Sequence, residues 1–530
     1  MSPQNPPSSP LELDSVDPDS PIPRWLFPPQ SRPQKALRTI TSLLGPISSR
    51  LLVLVKPRLA WKYLAFATST IYILACLALE KPPFASPLPA YTGPHSVGAI
   101  DLEIPVDEPR LVSDTVFKES GSPAFKLQTV LFTLYYPTDK GYRSPHRRHH
   151  WIPKPVRLTA RGFAKMAHAD NFLVRPVLTL ALWAVAGGIT IPAEVDAPLV
   201  SGPDKLPVVV FSHGMASSRT DYTNYAGELA SRGYIVAAIE HRDGSSPGSL
   251  VKTAPHAATT QVVVQHFRES DLLLANKTAM STPQLKFEQL AFRDAEMLAT
   301  ISALRSIHEG NKPVSSTRDE GKSSLGTFAQ RIDLAKLIMG GHSYGATAAL
   351  QSLKHAPSAA NPAVAGIILD PGKESGPLNA DIDVPILVVH SDSWSRARSL
   401  FFGRPHFDTV RDLASRVLER AGSAWFLTSL GTSHVSVTDA PLLEPLLLSW
   451  ATGARLDTRE ASREYVGVSH DFIQFVVGQK TPRGVLAHEV THTEYGKWVD
   501  EDRQESFPRD LARLWEIHVS PASPEKNAQA

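Results

Sequence analysis

Gly341-His342-Ser343-Tyr344-Gly345 reads G-x-S-x-G, and its flanks suit a serine nucleophile. The apolar run at 334–340 comes before it and the helix-forming stretch 346–353 after it. A sharp strand-to-helix turn strains the serine backbone and demands small neighbours, which Gly341, Gly345 and Ala346 provide. Such a turn lifts the Ser343 hydroxyl above the sheet edge. The helix N-terminus behind it favours the negative charge that develops in acyl transfer.

A serine of this kind needs a general base, an acid to orient that base, and an oxyanion hole. There are nineteen histidines in the 530 residues, so position must select the base. His434 follows the apolar strand 424–427, sits in the flexible loop Gly431-Thr432-Ser433-His434, and is the last such histidine before the C-terminal helices. That placement suits proton abstraction from Ser343. Two aspartates compete for the acid. Asp370 closes the strand ending at Leu369, and Asp392 follows the strand ending at Val389. Either could orient the imidazole, and the frequent use of the later strand among hydrolases favours Asp392. For the oxyanion, Tyr344 offers the N–H after the nucleophile. Phe211-Ser212-His213-Gly214-Met215, directly after a core strand, offers the Met215 N–H as the second donor.

The elements that must carry these residues begin near residue 98, where strand, loop and helix start to alternate. Residues 128–136 form a strand with aromatics, and 206–211, 234–239, 364–369 and 385–389 are apolar strands. Residues 222–232 are helical, and Gly233 fits the C-terminal stop. Alternating strands and helices imply a mostly parallel sheet covered on both faces. With the elbow, that is an α/β-hydrolase architecture. It is expected over 98–475, with a lid or insert at 140–200 and a C-terminal extension over 476–530. Within the insert, 177–186 reads as a lid or interfacial helix, or as a buried packing helix. Arg143, Arg147 and Arg148 near Trp151 suit phosphate headgroups, or a solvated loop.

A second motif points elsewhere. His488-Glu489-Val490-Thr491-His492 matches H-E-x-x-H, in which two histidines on one helix face bind zinc beside a general base. Tyr495 occupies the glycine position of the extended pattern, and Glu516 serves as third ligand only by assumption. The segment has little room for a protease domain, so a polar helix or loop on the hydrolase surface is the simpler expectation.

Net charge is +2 and charged residues are 20% of the chain, which implies no nucleic-acid field. The single cysteine, Cys76, excludes an intramolecular disulfide and a multi-cysteine metal site. The serine chemistry needs no metal and no cofactor. Residues 1–45 are a Pro/Ser-rich tail without hydrophobic periodicity, expected to be disordered. A basic segment over 46–81 follows, and its uncharged run at 63–79 is expected to be a single transmembrane helix. Arg50, Lys56, Arg58 and Lys62 precede that run, so the N-terminus is expected in the cytosol and the catalytic domain on the lumenal or extracellular side. A proline-rich linker occupies 82–97. Asn276-Lys277-Thr278 is a glycosylation acceptor for a lumenal domain.

The ordered motifs resemble the platelet-activating factor acetylhydrolase family, the plasma-type and intracellular type II serine phospholipases. The likeness rests on Phe211-Ser212-His213-Gly214 with Arg219-Thr220-Asp221-Tyr222, on residues 236–245 with Glu240-His241-Arg242-Asp243-Gly244-Ser245, and on the elbow. Residues 97–102 and Leu134-Tyr135-Tyr136-Pro137 match in order upstream, so the likeness covers roughly 90 to 450. The resemblance implies Asp370 rather than Asp392 as acid, His434 as base, and Met215 and Tyr344 as oxyanion donors. It implies calcium-independent hydrolysis of a short or oxidised sn-2 acyl group on a phosphoglyceride. One departure is Pro371-Gly372-Lys373, where relatives tend to carry an aromatic residue. The other is the N-terminal anchor, absent from secreted members. A broad carboxylesterase or polyester hydrolase on the same fold, and a catalytically silent lipid-binding protein, stand as alternatives.

Overall fold

A computed structural model describes residues 61–79, 84–252, 261–311, 316–317, 324–397 and 399–522. The expected tail over 1–45 and the basic stretch at 46–60 lie outside the described residues. In chain order the main elements are α1 (Trp61–Ala78), β1 (Ser96–Leu111), β2 (Lys126–Thr138), α2 (Val156–Met166), α3 (Val174–Ala186), β3 (Leu206–Ser212), α4 (Thr223–Ala230) and β4 (Ile235–Ile239). They continue with α5 (Thr282–His308), β5 (Ile332–His342), α6 (Tyr344–Ser352), β6 (Ala363–Leu369), β7 (Ile386–Ser391), α7 (Asp392–Arg396) and α8 (His406–Ala421). The last are β8 (Ala424–Ser429), α9 (Ala440–Leu443), α10 (Pro445–Thr452), α11 (Thr458–Gln474) and β9 (Trp515–Val519).

The nine labelled strands form one sheet in the order β1-β2-β4-β3-β5-β6-β7-β8-β9, with Glu194–Val195 and Ser316–Thr317 pairing along β1. From β4 to β8 every neighbour pair is parallel. The antiparallel pairs are at the margins, β1–β2 and β2–β4 on one side and β8–β9 on the other. The fold is therefore α/β with a mostly parallel central sheet.

Strand alternation explains the layers. Val208, Val210, Met339 and Val388 face a core built with α5, α6 and α8. Val209, Phe211, Ile338 and Val389 face the core built with α4 and α11. Side chains of successive strand residues point to opposite faces, so unbroken apolar runs are needed where both faces are covered. Each buried aliphatic side chain contributes about 2 kcal/mol over its exposed state. A charge at Val209 or Ile338, both fully buried, would break a layer. α5 begins where Ser281 accepts from the Gln284 N–H and Pro283 occupies the first turn, both favourable at a helix start.

The C-terminal segment is part of the same sheet, because β9 pairs with β8 through Leu427↔Ile517 and Ser429↔Trp515. The boundary expected at 475 thus separates residues that hydrogen-bond to one another. In the 140–200 region, Val177 and Leu180 of α3 are exposed, as are Phe172 and Leu173 just before it, and only Ala186 within the helix is buried. It is not a buried packing helix. Asn276 lies in an exposed turn, where its carbonyl accepts from the Thr278 N–H and hydroxyl.

The expected membrane span is corrected. Residues 63–79 do enter a helix, α1, but no helix among the described residues is long and apolar enough to cross a membrane. Lys62, Thr68, Ser69 and Thr70 interrupt its apolar surface.

Candidate active site

β5 ends at His342 and α6 begins at Tyr344, so Ser343 alone makes the turn, with φ 56° and ψ −120°. A non-glycine residue there stores roughly 1–3 kcal/mol of strain. Packing explains the glycines on either side. A Cβ on Gly345 would lie 2.0 Å from the Ser212 carbonyl oxygen, and one on Gly341 would lie 2.2 Å from that of Gly345. The Ser343 N–H donates to the Leu369 carbonyl at 2.9 Å, which fixes the turn against the end of β6.

That register places Asp370, the residue after β6, beside the elbow. His434, carried on the loop after β8, reaches across both. Its Nδ1 is 2.9 Å from Asp370 Oδ2, and its Nε2 is 3.0 Å from Ser343 Oγ. Asp370 also accepts from the Ser391 N–H at 2.6 Å and the Ser391 hydroxyl at 2.7 Å. A carboxylate at Nδ1 assigns the ring proton to that nitrogen, which leaves Nε2 as acceptor for the serine hydroxyl. Burial, reinforced by the Lys373 ammonium, holds the imidazole well below its usual range, so it is neutral at pH 7. Burial pushes Asp370 up to about 6 against its hydrogen-bond donors. The arrangement can take a proton from Ser343 and stabilise the resulting imidazolium.

Asp392, favoured by strand order alone, does not reach the imidazole. Its Oδ2 accepts from the Gly431 N–H at 3.1 Å and pairs with Arg455 at 3.3 Å, and Oδ1 accepts from the Tyr495 hydroxyl. Asp392 therefore anchors the base of the loop that presents His434. It follows Ser391, whose donors serve Asp370, and the strand offset turns the two carboxylates to different partners.

The loop after β3 closes over the elbow. A Cβ on Gly214 would lie 3.1 Å from Ser343 Cβ, a tight contact that glycine avoids where the loop comes this close to the elbow. The Gly214 N–H donates to the Tyr222 hydroxyl and the Ala216 N–H to the Ser245 carbonyl, with the Met215 N–H between them. Tyr344 is the first residue of α6, where an N–H has no intrahelical acceptor. These are the two candidate oxyanion donors. Tyr222 also bonds His342 Nδ1 at 2.8 Å, tying the loop to the elbow.

Several supporting residues escaped the sequence reading as functional parts. Arg293 of α5, fully buried, donates to the His213 carbonyl at 2.6 Å and to Asp243 at 2.7 Å, and lies 4.5 Å from the Tyr344 ring centroid. It clamps the oxyanion loop to the start of α6. Arg219 bridges Asp101 at 2.5 Å and Glu240 at 3.2 Å, joining three of the quoted motifs in one buried ionic group. Trp394 stacks on His434 with ring centroids 3.8 Å apart. Arg219 stood within an ordered motif, whereas nothing in the sequence singled out Arg293 among the other charges of α5, or Trp394.

Other expected sites disperse. His488 follows a short 3₁₀ turn and His492 opens a strand, so the H-E-x-x-H residues share no helix face. Glu489 pairs with Arg503, and His492 Nε2 lies 3.6 Å from Glu516. Among the described residues, the metal-capable cluster is His342, Asp370 and His434, where both His434 nitrogens are already engaged. Arg143 and Arg148, both partly exposed, pair with Glu194 at 3.1 and 2.9 Å.

Comparison with known proteins follows the same residues. The chain is 28% identical over 317 residues to a platelet-activating factor acetylhydrolase of Cavia porcellus, covering 58% of this chain and 62% of that protein. It is 30% identical over 269 residues to the Bos taurus protein of that name, covering 51% of this chain and 52% of the relative. The chain thus spans little more than half the length of these relatives. A ferulic acid esterase of Streptomyces cinnamoneus superposes with a TM-score of 0.47 at 18% identity, over 77% of this chain and 97% of that one. The model of the family described as platelet-activating factor acetylhydrolase, isoform II, matches residues 84–481, most of the chain, and this protein belongs to that family.

Proposed function

We propose that this chain is a serine ester hydrolase of α/β-hydrolase type that cleaves the short sn-2 acyl ester of platelet-activating-factor-like phosphoglycerides. One observation carries the reading: His434 bridges Asp370 at 2.9 Å and Ser343 at 3.0 Å on the strained turn between β5 and α6. His434 Nε2 takes the Ser343 proton as Oγ attacks the ester carbonyl. Asp370 keeps the Nδ1–H tautomer and balances the imidazolium. The Met215 and Tyr344 N–H groups receive the oxyanion. The imidazolium then protonates the departing glycerol oxygen, and the lysophospholipid leaves. Water, deprotonated by His434, attacks the acyl-serine and releases the short carboxylic acid.

The phospholipid part of the reading is supported by family membership and by exposed apolar residues on two helices. Leu446, Leu447 and Trp450 of α10 are exposed, as are Val177 and Leu180 of α3, and the cluster that holds Ala186 of α3 also holds Leu443 of α9, the helix just before α10. Apolar side chains grouped in this way suit contact with a lipid surface.

The test is a fluorophosphonate probe together with a substrate panel. Folded protein is expected to label at Ser343 and to release acetate from an sn-2 acetyl phospholipid faster than fatty acid from a long-chain one. Absence of labelling at Ser343 would sink the hydrolase reading. Labelling with equal turnover of simple esters and no preference for the acetyl phospholipid would replace it by a broad carboxylesterase.

A further inference from the structure

The turn after Asp370 and helix α7 are joined around one aromatic ring. Trp394 of α7 donates from Nε1 to the Pro371 carbonyl at 3.0 Å. In return, Lys373 donates from Nζ to the Trp394 and Ala397 carbonyls, each at 2.9 Å. The same ammonium lies 4.5 Å from the indole centroid. The indole stacks on the His434 imidazole at 3.8 Å and 12° between planes. Next to it, the Ser393 hydroxyl accepts from the His434 N–H at 3.1 Å. None of these contacts involves Ser343.

We propose that Trp394 is the positioning residue of the general base: its ring, tethered through Pro371 and Lys373 to the turn that carries Asp370, holds the His434 imidazole in line between Asp370 and Ser343. The physical case is geometric. A loop histidine can rotate about two side-chain torsions, and only one orientation serves both hydrogen bonds. A parallel aromatic face on the imidazole removes the freedom to swing out and keeps water from that face. The tether matters because the same turn sets the acid and the ring that steadies the base, so the two move together.

Lys373 gives the clamp an electrostatic side. Its charge opposes a proton on His434 and favours the ionised Asp370. The other titratable and charged groups around the pair are His342 on the elbow, the buried His390 and His406 behind Trp394, buried Tyr465 of α11, exposed Glu374, and Asp392 with Arg396 on α7. Burial keeps His342, His390 and His406 below their usual range, so Lys373 is the cation whose removal changes the field at His434.

The inference rests on the hydrolase reading, so the experiment separates the two. Hydrolysis of 4-nitrophenyl acetate would be followed for the full chain, Ser343→Ala, Trp394→Phe, Trp394→Leu and Lys373→Met. A parent protein no faster than Ser343→Ala would defeat the hydrolase reading itself. With an active parent, Trp394→Leu is expected to lower kcat about 100-fold with KM nearly unchanged, while Trp394→Phe, which keeps a stacking face, stays within about tenfold of the parent. Equal kcat for the Phe and Leu variants would overturn the stacking role. Lys373→Met carries an independent arm. Loss of the cation raises proton affinity at both His434 and Asp370, so the acid limb of kcat/KM should move to higher pH. An unmoved limb, or one moved to lower pH, would overturn the electrostatic half.

Discussion

Two five-residue motifs of this chain, Gly341–Gly345 and His488–His492, each match a catalytic pattern in sequence, the second with the weaker expectation, and the structure treats them differently. The elbow's spacing is realised by its own backbone: a strand enters, Ser343 takes a strained φ of 56°, and a helix leaves. The zinc-type motif demands a helix, yet 488–492 runs from a 3₁₀ turn into a strand. A five-residue pattern is informative where the element it needs is built from the pattern's own residues and neighbours. The elbow meets that condition because glycines and a following helix former are local. H-E-x-x-H does not, since Thr491 and the β-pairing of His492 with Trp498 favour an extended chain.

The largest expected effect separates the two regions outright. Ser343→Ala should cut turnover about a million-fold, as loss of a serine nucleophile does elsewhere, and residual acetyl-ester hydrolysis above the buffer rate would measure the rest of the site. Within the elbow's own partners, Asp370→Asn should lower kcat roughly ten-thousand-fold by upsetting the histidine tautomer. Asp392→Asn should instead lower thermal stability, because it loosens Gly431, Arg455 and Tyr495. The reverse ranking in steady-state assays would transfer the acid's role to Asp392.

The third effect is a pH profile. Burial raises Asp370 to about 6, so the carboxylate takes up a proton as pH falls through that value. A neutral carboxyl neither holds Nδ1–H nor balances the imidazolium, and kcat/KM should therefore fall as pH drops below about 6. An acid limb centred near pH 4, measured with a substrate that does not titrate, would contradict this. Next, Arg293→Met leaves buried Asp243 without its cation, which costs about 3–5 kcal/mol where a buried pair is broken. A matching fall in the thermal midpoint, with loss of probe labelling at Ser343, is expected, since the His213 carbonyl also loses its donor. The smallest effect belongs to the other region. His488→Ala and a strong zinc chelator should each leave ester turnover within about twofold, as expected for a change away from the site. A larger loss would restore a metal role to His488–His492.

What was legible in the sequence follows the range of the interactions involved. Ser343, the donor at Tyr344 and the loop holding Met215 were readable because a strand, a glycine-bounded turn and a helix are local structures. The buried strands were readable because a doubly covered sheet requires unbroken apolar runs, as at 206–211 and 385–389. The α1 helix was readable as a helix, whereas its crossing of a membrane depended on a length and apolarity it does not reach. The choice between Asp370 and Asp392 was not readable from strand order. Both aspartates follow adjacent parallel strands, and a small difference in offset aims one at His434 and the other at Gly431 and Tyr495.

By itself, then, the chain's order of residues determined the candidate nucleophile, the α/β layering and the loops that offer a candidate base and a candidate oxyanion donor. These depend on neighbours within a few positions and on period-two burial. Only the tertiary structure decided which acid meets the base, that Trp394 lies against His434, 40 positions further along the chain, and that Arg293 ties α5 to the candidate oxyanion loop. Those contacts join segments far apart in sequence, and their energies depend on a distance and an orientation that no local pattern encodes.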